Sequence, residues 1–288
     1  MSANFRFDGE IITSRQNRRV VELMKLDDRR AREKTRTFRF DGVKLLCEAI
    51  RRGVEMDAVF LRVGTAERVA SRMEELYGYT LAQAGCPVFG VEDSLFEKIS
   101  QENAPDGVIT VAKYIDKSHN FIIIYKEDEK ISAETAPILL LESVRDPLNV
   151  GAVIRTAAAL GVGRLIMSAD CADLYHPRTL RAAMGPLFSL PITRVEDLAG
   201  SVKALRQSGR RVYAAALDDT AIRLGSPEFD AEKEGHPVGA VIGNEGHGLS
   251  EAVTAACDRS VYIPMEADTE SLNAGVAAAL IMWELGRR

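Results

Sequence analysis

Cysteine and histidine are scarce in this sequence of 288 residues. The four cysteines (Cys47, Cys86, Cys171 and Cys257) stand far apart without a CxxC pair, and the four histidines have no metal-ligand spacing. This pattern excludes a disulfide framework and gives no support to a cysteine zinc site. We therefore expect reduced thiols in a cytoplasmic protein, and no bound metal.

Long apolar stretches are also missing. No run approaches the roughly 20 consecutive apolar residues that a membrane-spanning helix needs, and the first residues, MSANFRFDGE, lack the apolar core of a secretory signal. We therefore expect no membrane partner. The composition, with 46% hydrophobic and 27% charged residues, is that of a folded protein with one large domain or two smaller ones.

Aromatic residues make up only 6% of the sequence, and its net charge of -5 does not by itself suggest nucleic-acid binding. The charge is uneven, however, because Arg15–Arg39 contains ten basic and four acidic residues, a local charge of +6. Such a block can contact phosphates, since these contacts are short-ranged under physiological screening. A solvated helix surface of mixed charge has the same composition, so this feature alone leaves both interpretations open.

The apolar pattern of the first half predicts a small α/β domain in residues 1–115. Residues 11–50 are predicted to form helices separated by a basic loop, and short strands are predicted at 58–62, 87–91 and 108–112. Residues 116–136 contain the polar stretch KEDEKISAETA and precede a proline, which indicates a linker. Within it, Phe121–Tyr125 has the composition of a short strand.

Residues 137–288 alternate between short apolar runs and helical patterns. The runs ILLLES, RLIMS, RVYAAAL, PVGAVIGN and SVYIPM are typical of buried parallel strands. Their alternation with helices predicts a parallel sheet covered by helices, and hence an α/β fold. The last helix, Leu272–Leu285, is apolar on all sides, which indicates burial either at a subunit interface or in the centre of the domain.

Three segments place unusual residues after predicted strands, where ligands bind in open α/β sheets. In the first, LESVRDPLNVGAVIRTAAALG, Asn149 is predicted to cap a helix that stops near Gly161. Arg155 lies four residues after Gly151, so the missing side chain leaves space beside the guanidinium. An arginine beside such an opening suits a phosphate or a carboxylate. By pattern alone, an ordinary surface arginine is the favoured interpretation.

The second segment, VIGNEGHGLS, surrounds a polar trio with three glycines, which allows the backbone to approach a ligand closely. It is neither a phosphate loop nor the GxGxxG fingerprint, and its histidine has no partner at metal-ligand spacing. In the third segment, YIPMEADTESLNAGVAAAL, Ser271 is predicted to begin the last helix, with Asn273 in its first turn. An amide at that place either caps a neighbouring loop or contacts a ligand.

Together, these segments resemble the SpoU family of ribose methyltransferases in the knotted SPOUT superfamily. The resemblance rests on D-P-x-N-x-G-x-x-x-R-T-A at Asp146–Ala157, G-N-E-G-x-G-L-S at Gly243–Ser250, and I-P-M followed by S-L-N at Ile263–Asn273. Their order and spacing match the family across roughly residues 138–285. More loosely, ITSRQNRRVVELMKL, RTFRFDG and ENAPDGVITVA resemble the RNA substrate-binding domain that often precedes SpoU domains.

The resemblance implies methylation of a ribose 2′-hydroxyl in RNA, with S-adenosylmethionine as the methyl donor and no catalytic metal. It also implies a homodimer and a deep trefoil knot in the C-terminal domain, an exception to the rule that chains avoid knots. The separate N-terminal domain favours ribosomal RNA over transfer RNA as the substrate. A non-catalytic RNA-binding or assembly protein and a base-nitrogen methyltransferase are the alternatives.

The resemblance further assigns roles to residues. The catalytic residues are expected to be Asn149, Arg155, Glu245 and Asn273. The S-adenosylmethionine site is expected to comprise Gly243, Asn244, Gly246, Ile263, Met265 and Leu272. Contacts to RNA are expected from the basic segment, namely Arg15, Asn17, Arg29, Arg30 and Arg36.

Arg155 is the family's key arginine, but a guanidinium keeps its proton to above a pH of about 12. We therefore expect Arg155 to stabilise negative charge on the hydroxyl oxygen, with a phosphate or Glu245 receiving the proton. The chain departs from the family pattern at three places. One is Ala183, where relatives often have Ser, so we expect a hydroxyl-mediated contact to be missing there. Asp41 replaces the usual Glu, which we expect to matter little. The chain has Ala274, Gly275 and Val276 where the family favours Val-Ala-Val, which we expect to alter helix packing at the dimer interface.

Overall fold

The computed structural model describes residues 7–118, 135–266 and 271–287. The chain divides into two compact units, Met1–Ile115 with Tyr175–Leu180, and Asp116–Leu174 with Arg181–Arg288. The predicted strand Phe121–Tyr125 lies outside the described residues. Nothing in the sequence signals that Tyr175–Leu180 joins the first unit.

The first unit is a mixed sheet with helices. Its helices are α1 (Arg18–Lys25), α2 (Arg29–Thr35), α3 (Val43–Arg51), α4 (Ala66–Tyr77) and α5 (Asp93–Ile99), and its strands are β1 (Thr37–Asp41), β2 (Met56–Arg62), β3 (Val88–Val91) and β4 (Val108–Lys113). The strand order is β1-β4-β2-β3, with β4 antiparallel to both neighbours and β2 parallel to β3. Leu23 of α1 and Phe96 of α5 pack with Phe60 and Phe89 of the sheet in one buried cluster.

The prediction of only helices and a loop for residues 11–50 is wrong, because the supposed basic loop contains α2 and β1. The residues of β1, TFRFD, alternate between polar and apolar types, but Phe38, Arg39 and Phe40 are all buried, so both faces of the strand are covered. The Arg39 guanidinium donates to the Ile99 carbonyl at 2.5 Å and lies 3.6 Å from the Asp41 carboxylate. Burial raises the pKa of Asp41, although Arg39 opposes this change.

The second half of the chain alternates strand and helix. Its strands are β5 (Lys117–Ser118), β6 (Ile138–Leu141), β7 (Arg164–Ser168), β8 (Ile192–Val195), β9 (Arg211–Ala215), β10 (Ile222–Arg223), β11 (Val238–Ile242) and β12 (Arg259–Tyr262). Its helices are α6 (Pro147–Ala159), α7 (Pro177–Ala183), α8 (Leu198–Gln207), α9 (Pro227–Lys233), α10 (Glu251–Ala256) and α11 (Ala274–Gly286).

The predicted parallel sheet is confirmed. Its order is β10-β12-β9-β11-β6-β7-β8-β5, and every neighbouring pair is parallel. The four residues of β6 have no exposed surface, as expected for a strand covered on both faces. Because all strands run in one direction, the loops that follow β6, β7, β9, β11 and β12 leave the same edge of the sheet.

The last helix, α11, is buried on one side only. It packs against α6 and β11 and buries Ala278, Ile281 and Met282. Val276, Leu280 and Trp283, spaced by four and three residues, are 50%, 42% and 61% exposed. The alternative of a central helix within the domain is therefore wrong. Within the described part of the chain, no helix is long and apolar enough to cross a membrane.

Candidate functional site

Neighbouring strands bring the first two predicted motifs together. β6 pairs with β11, and the Glu142 amide after β6 donates to the Ile242 carbonyl at 2.9 Å. The Glu142 carboxylate also accepts the amide and the hydroxyl of Ser250, at 2.8 and 2.6 Å. The loop after β6 and the loop after β11 are thus joined at the edge where ligands of parallel sheets bind.

Three side chains from the three predicted motifs form one hydrogen-bonded network. The Asn149 amide nitrogen donates to Glu245 Oε1, and Asn273 Nδ2 donates to Asn149 Oδ1 at 2.8 Å. Asn149 is only 7% exposed, so both polar ends of its side chain are satisfied at the centre of the network. Residues 149, 245 and 273, distant in sequence, therefore meet at one place.

The helix caps differ from two predictions. Asp146, not Asn149, caps α6 by accepting the Leu148 amide at 3.0 Å, which leaves the Asn149 side chain for the network. Asn273, placed in the first turn by the sequence, is itself the cap of α11 and accepts the Gly275 and Val276 amides at 3.0 and 3.3 Å. The predicted stop at Gly161 agrees with the structure, where its φ is 74°.

Asn244 organises the glycine-rich loop after β11. Its backbone pairs in both directions with Gly248, and its Oδ1 accepts the amides of Gly246 and His247 at 2.8 and 3.2 Å. Its Nδ2 donates to the Ser143 carbonyl at 2.8 Å, in the loop after β6. Asn244 therefore fixes the shape of its own loop and the position of that loop beside the first motif.

Gly243→Ala is expected to lower the free energy of unfolding by about 1–3 kcal/mol, because a methyl group there overpacks the loop. A Cβ at this position would lie 2.5 Å from the Gly248 carbonyl oxygen and 2.7 Å from the Leu249 nitrogen, both backbone atoms. Urea denaturation would measure the change. Gly246→Ala is the matched control, because its Cβ would meet only Asn244 Oδ1 at 3.5 Å. Equal stability of the two variants would contradict this account.

The loop after β7 holds the loop after β6 in place through Asp170, which the sequence did not predict. Ser143 has a φ of 54°, uncommon for a residue with a side chain. Its hydroxyl donates to Asp170 at 2.5 Å, and its amide donates to the Ser168 hydroxyl at 2.9 Å, which in turn donates to Asp170 at 2.6 Å. Partial burial raises the pKa of Asp170, but the hydrogen bonds from Ser143 and Ser168 outweigh it, so this pKa lies below its usual range.

Arg155 stands apart from the network. It is exposed, and no described residue forms a hydrogen bond or ion pair with its side chain. Six residues separate it from Asn149 on α6, so the two side chains point about 120° apart around the helix. The described chain therefore leaves the guanidinium accessible to a ligand, and its predicted catalytic role stays a prediction.

The predicted cofactor residues after β12 lie farther along the sheet from the glycine-rich loop than the loop after β6 does. β9 lies between β11 and β12, so Ile263 and Met265 leave the sheet two strands away from Gly243. Ile263 and Leu272 are half-buried, and Met265 is 44% exposed. Residues 267–270 of the loop that follows lie outside the described residues. Ile263, Met265 and Leu272 each leave part of their apolar side chain exposed.

Gly275, one of the departures from the family pattern, faces the network rather than the exposed side of α11. A Cβ there would lie 3.1 Å from Asn273 Oδ1 and 3.6 Å from Ala152 Cβ of α6. The glycine therefore affects how closely α11 approaches α6. Its effect on an interface between subunits stays a prediction.

The five predicted RNA contacts occupy different settings. Asn17 caps α1 by accepting the Arg19 amide at 2.9 Å, Arg29 pairs with Glu33 at 2.8 Å, and the Arg36 guanidinium lies 4.3 Å from the Tyr114 ring centre. Arg15 and Arg30 are exposed and have no partner among the described residues.

Two further arginines of the basic segment, Arg32 and Arg39, are 3% and 2% exposed and donate to backbone carbonyls. The basic block is thus partly structural, which its composition did not reveal.

Comparison with known proteins gives two family models. Residues 136–283 match the model described as the SpoU rRNA Methylase family, and residues 17–110 match the MRM3-like substrate binding domain. Among curated proteins, the chain is 28% identical to the 23S rRNA (guanosine(2553)-2'-O)-methyltransferase RlmP of Bacillus subtilis, over 95% of this chain and 98% of that protein.

Solved structures are similar over nearly the whole chain. An AdoMet-bound rRNA methyltransferase from Sinorhizobium meliloti has a TM-score of 0.79 and 25% identity, covering 96% of this chain and 97% of its own. The SpoU methyltransferase AviRb from Streptomyces viridochromogenes, in complex with AdoMet, has a TM-score of 0.75 and 26% identity, covering 94% and 97%. In both, the likeness extends through the two halves of the chain.

Proposed function

Because the chain belongs to the SpoU rRNA methylase family, we propose that it transfers a methyl group from S-adenosylmethionine to a ribose 2′-hydroxyl of ribosomal RNA. The predicted family and methyltransferase class are confirmed. The observation that carries the proposal is the network of Asn149, Glu245 and Asn273, which joins the three motifs in the folded chain. A non-catalytic RNA-binding protein with this fold, which is the alternative, would have no need to keep that network.

The residues after β11 and β12 suit S-adenosylmethionine. The Gly248–Leu249 backbone fills the space where a Gly243 Cβ would lie, and Asn244 holds the glycine loop in a fixed shape. Gly246 is exposed and has no side chain, so a ligand can approach the loop backbone closely there. Ile263, Met265 and Leu272 supply apolar surface for an adenine, with loop amides for directional hydrogen bonds. The cofactor supplies an electrophilic methyl group, and these residues would hold its adenosine and methionine parts.

The chain's own residues would orient the sugar and stabilise charge. The exposed Arg155 would bind the phosphate next to the target ribose and stabilise negative charge on the attacking oxygen. The Glu245 carboxylate, oriented by Asn149, is a suitable acceptor for the hydroxyl proton, with a phosphate as the other acceptor. Alignment of the oxygen with the methyl group at a near-attack distance of about 3–3.5 Å would account for much of the rate.

Methyl transfer to ribosomal RNA tests the proposal directly. The protein is incubated with S-adenosylmethionine labelled in the methyl group and, in separate reactions, with ribosomal RNA and transfer RNA from cells that lack the protein. A methyl group on the 2′-oxygen prevents alkaline cleavage of the adjacent phosphodiester. Label recovered in an alkali-resistant dinucleotide therefore identifies a ribose product and its position. Label on base nitrogens, or in transfer RNA alone, would contradict the proposal.

We also propose a homodimer formed through α11. Val276, Leu280 and Trp283 form an exposed apolar stripe on this helix, and Leu148 at the start of α6, which packs against α11, is 49% exposed. Exposed apolar side chains grouped in this way are typical of interfaces. The resemblance to the SpoU family favours a second copy of the chain as the partner that covers this stripe.

Leu280→Glu is expected to convert the dimer to a monomer, because a buried unpaired carboxylate is costly in an interface. Sedimentation equilibrium would measure the mass. Leu76→Glu is the matched control, since Leu76 is 63% exposed on α4 of the first unit and lies outside the stripe. A dimer that persists in Leu280→Glu, or dissociation in both variants, would count against α11 as the interface.

The deep trefoil knot and the cytoplasmic location belong to the same proposal. The family resemblance supports the knot, and the order β12-β9-β11-β6 is compatible with a chain that returns between strands laid down earlier. Mechanical unfolding would reveal a knot, because a knotted chain stretches to a shorter contour length than an unknotted one. The cytoplasm is where the proposed ribosomal substrate is found.

A further inference from the structure

A groove of about 690 Å3 lies in the first unit, between the α1–α2 corner and the starts of β1, β2 and β3. Leu23, Leu26, Phe60, Phe89 and Val111 line it with apolar surface. Its volume falls in the roughly 300–1,000 Å3 range of sites that hold small organic groups. The groove is therefore large enough to enclose one flat ring system, but not a helix or a duplex.

The rim of the groove carries uncompensated positive charge. Of its two acidic residues, Glu22 binds Arg18 at 2.8 Å and Asp57 binds Lys113 at 2.9 Å. Arg19, Lys25 and Lys34 line the same groove, and no acidic side chain among the described residues pairs with any of them. Three cations around an apolar floor complement an anionic ligand with an apolar, planar part.

Arg19 links the rim to the floor. Its guanidinium carbon lies 3.9 Å from the centre of the Phe89 ring, so the ring positions the cation at the mouth of the groove. Arginine planes and aromatic rings are the surfaces on which proteins stack unpaired RNA bases. Arg19 thus offers a stacking surface and a positive charge at the same point.

We propose that this groove binds an unpaired nucleotide of the RNA substrate, with the base enclosed near Arg19 and Phe89 and the flanking phosphates on Lys25 and Lys34. The inference rests on the proposed function, since it names where that substrate is held. All three cations lie within residues 17–110, the part that matches a substrate binding domain model. The three cations of the groove are not among the RNA contacts predicted from the sequence, which are Arg15, Asn17, Arg29, Arg30 and Arg36.

The test measures binding of two RNA probes of equal charge: a stem with an unpaired uridine loop and a blunt duplex. Arg19→Ala should weaken binding of the stem-loop roughly tenfold, because a stacked base is lost, and should affect the duplex much less. Arg19→Lys keeps the charge but not the planar group, so it should weaken the stem-loop selectively as well. Lys25→Ala and Lys34→Ala should each reduce the slope of log affinity against log salt by about 0.7.

Arg68→Ala is the matched control, because Arg68 is an exposed arginine of the same unit, outside the groove and without a partner among the described residues. Equal losses in Arg68→Ala and Arg19→Ala would overturn the proposal in favour of diffuse attraction. A larger loss in Arg30→Ala than in Lys25→Ala would overturn it in favour of the outer surface of α2. Wild-type affinity in all four groove variants would also overturn it.

The KM for extracted ribosomal RNA separates this proposal from the proposed function. If the wild-type protein methylates that RNA and Arg19→Ala keeps its KM, the groove proposal fails and the proposed function stands. If the wild-type protein transfers no methyl group but binds the stem-loop through the groove, the proposed function fails and the groove proposal stands. Melting temperatures equal to that of the wild type would verify that each variant is folded.

Discussion

Replacement of Arg155 by Lys is expected to lower the rate of methyl transfer by about 100-fold or more, with little change in the affinity for S-adenosylmethionine. Removing one preorganised donor from a developing oxyanion typically costs two to three orders of magnitude in rate. Lysine keeps the charge but loses the planar fork that holds a phosphate with two hydrogen bonds. Single-turnover kinetics measures the rate, and calorimetry measures the cofactor affinity.

The position of Arg155 separates an effect on catalysis from an effect on folding. Arg155 is exposed and has no partner among the described residues, so its replacement removes no hydrogen bond that supports the fold. Arg223→Lys is the control, because Arg223 is also exposed and unpartnered in the described part of the second unit. Turnover that survives in Arg155→Lys would contradict a bidentate contact. Loss of cofactor binding would instead place Arg155 in the cofactor site.

Asn149→Ala is expected to abolish nearly all activity and to destabilise the protein by about 1–3 kcal/mol. The substitution removes the donor to Glu245 and the acceptor of Asn273 Nδ2, and a buried polar group left without a partner costs its desolvation energy. Glu245 would lose the hydrogen bond that orients it. Chemical denaturation and single-turnover kinetics measure the two effects separately.

Asn149→Asp tests whether the side chain at position 149 donates a hydrogen bond to Glu245. The new carboxylate keeps an acceptor for Asn273 but faces Glu245, and two neighbouring carboxylates raise the pKa of one of them. The protonated form donates to its neighbour, so the stability of this variant relative to the wild type should increase as the pH falls through that raised pKa. A stability difference that does not change with pH would mean that the Asn149 side chain does not donate to Glu245.

The sequence predicts the parallel sheet of residues 137–288 better than it predicts the elements in residues 11–50. β7 occupies Arg164–Ser168, the predicted run RLIMS, because a short apolar run preceded by glycines is typical of a buried strand. β1 was missed because its five residues, TFRFD, directly follow the basic residues of the supposed loop, and only the folded chain shows that the Ile99 carbonyl accepts a hydrogen bond from the Arg39 guanidinium. Long-range partners of this kind leave no local signal.

The candidate site was predicted in part for a related reason. Asn149, Glu245 and Asn273 belong to recognisable motifs, so the sequence names them, and the sheet order then brings them together. Asp170 belongs to no motif, and the positive φ of Ser143 that it supports is not encoded by a glycine. The exposure of Arg155 likewise depends on how α6 is rotated, which a pattern of residues does not fix.

The contribution of Tyr175–Leu180 to the first unit has a consequence for biosynthesis. Tyr175 stacks on Tyr114 with ring centres 3.9 Å apart, and its hydroxyl accepts the Ile115 amide at 2.8 Å. The nascent N-terminal half therefore lacks part of its own core until Tyr175–Leu180 has left the ribosome. At roughly 5–20 residues per second, this is a delay of several seconds. A fragment that stops at Ile115 should resemble that nascent state and be more easily cleaved by proteases than the intact chain.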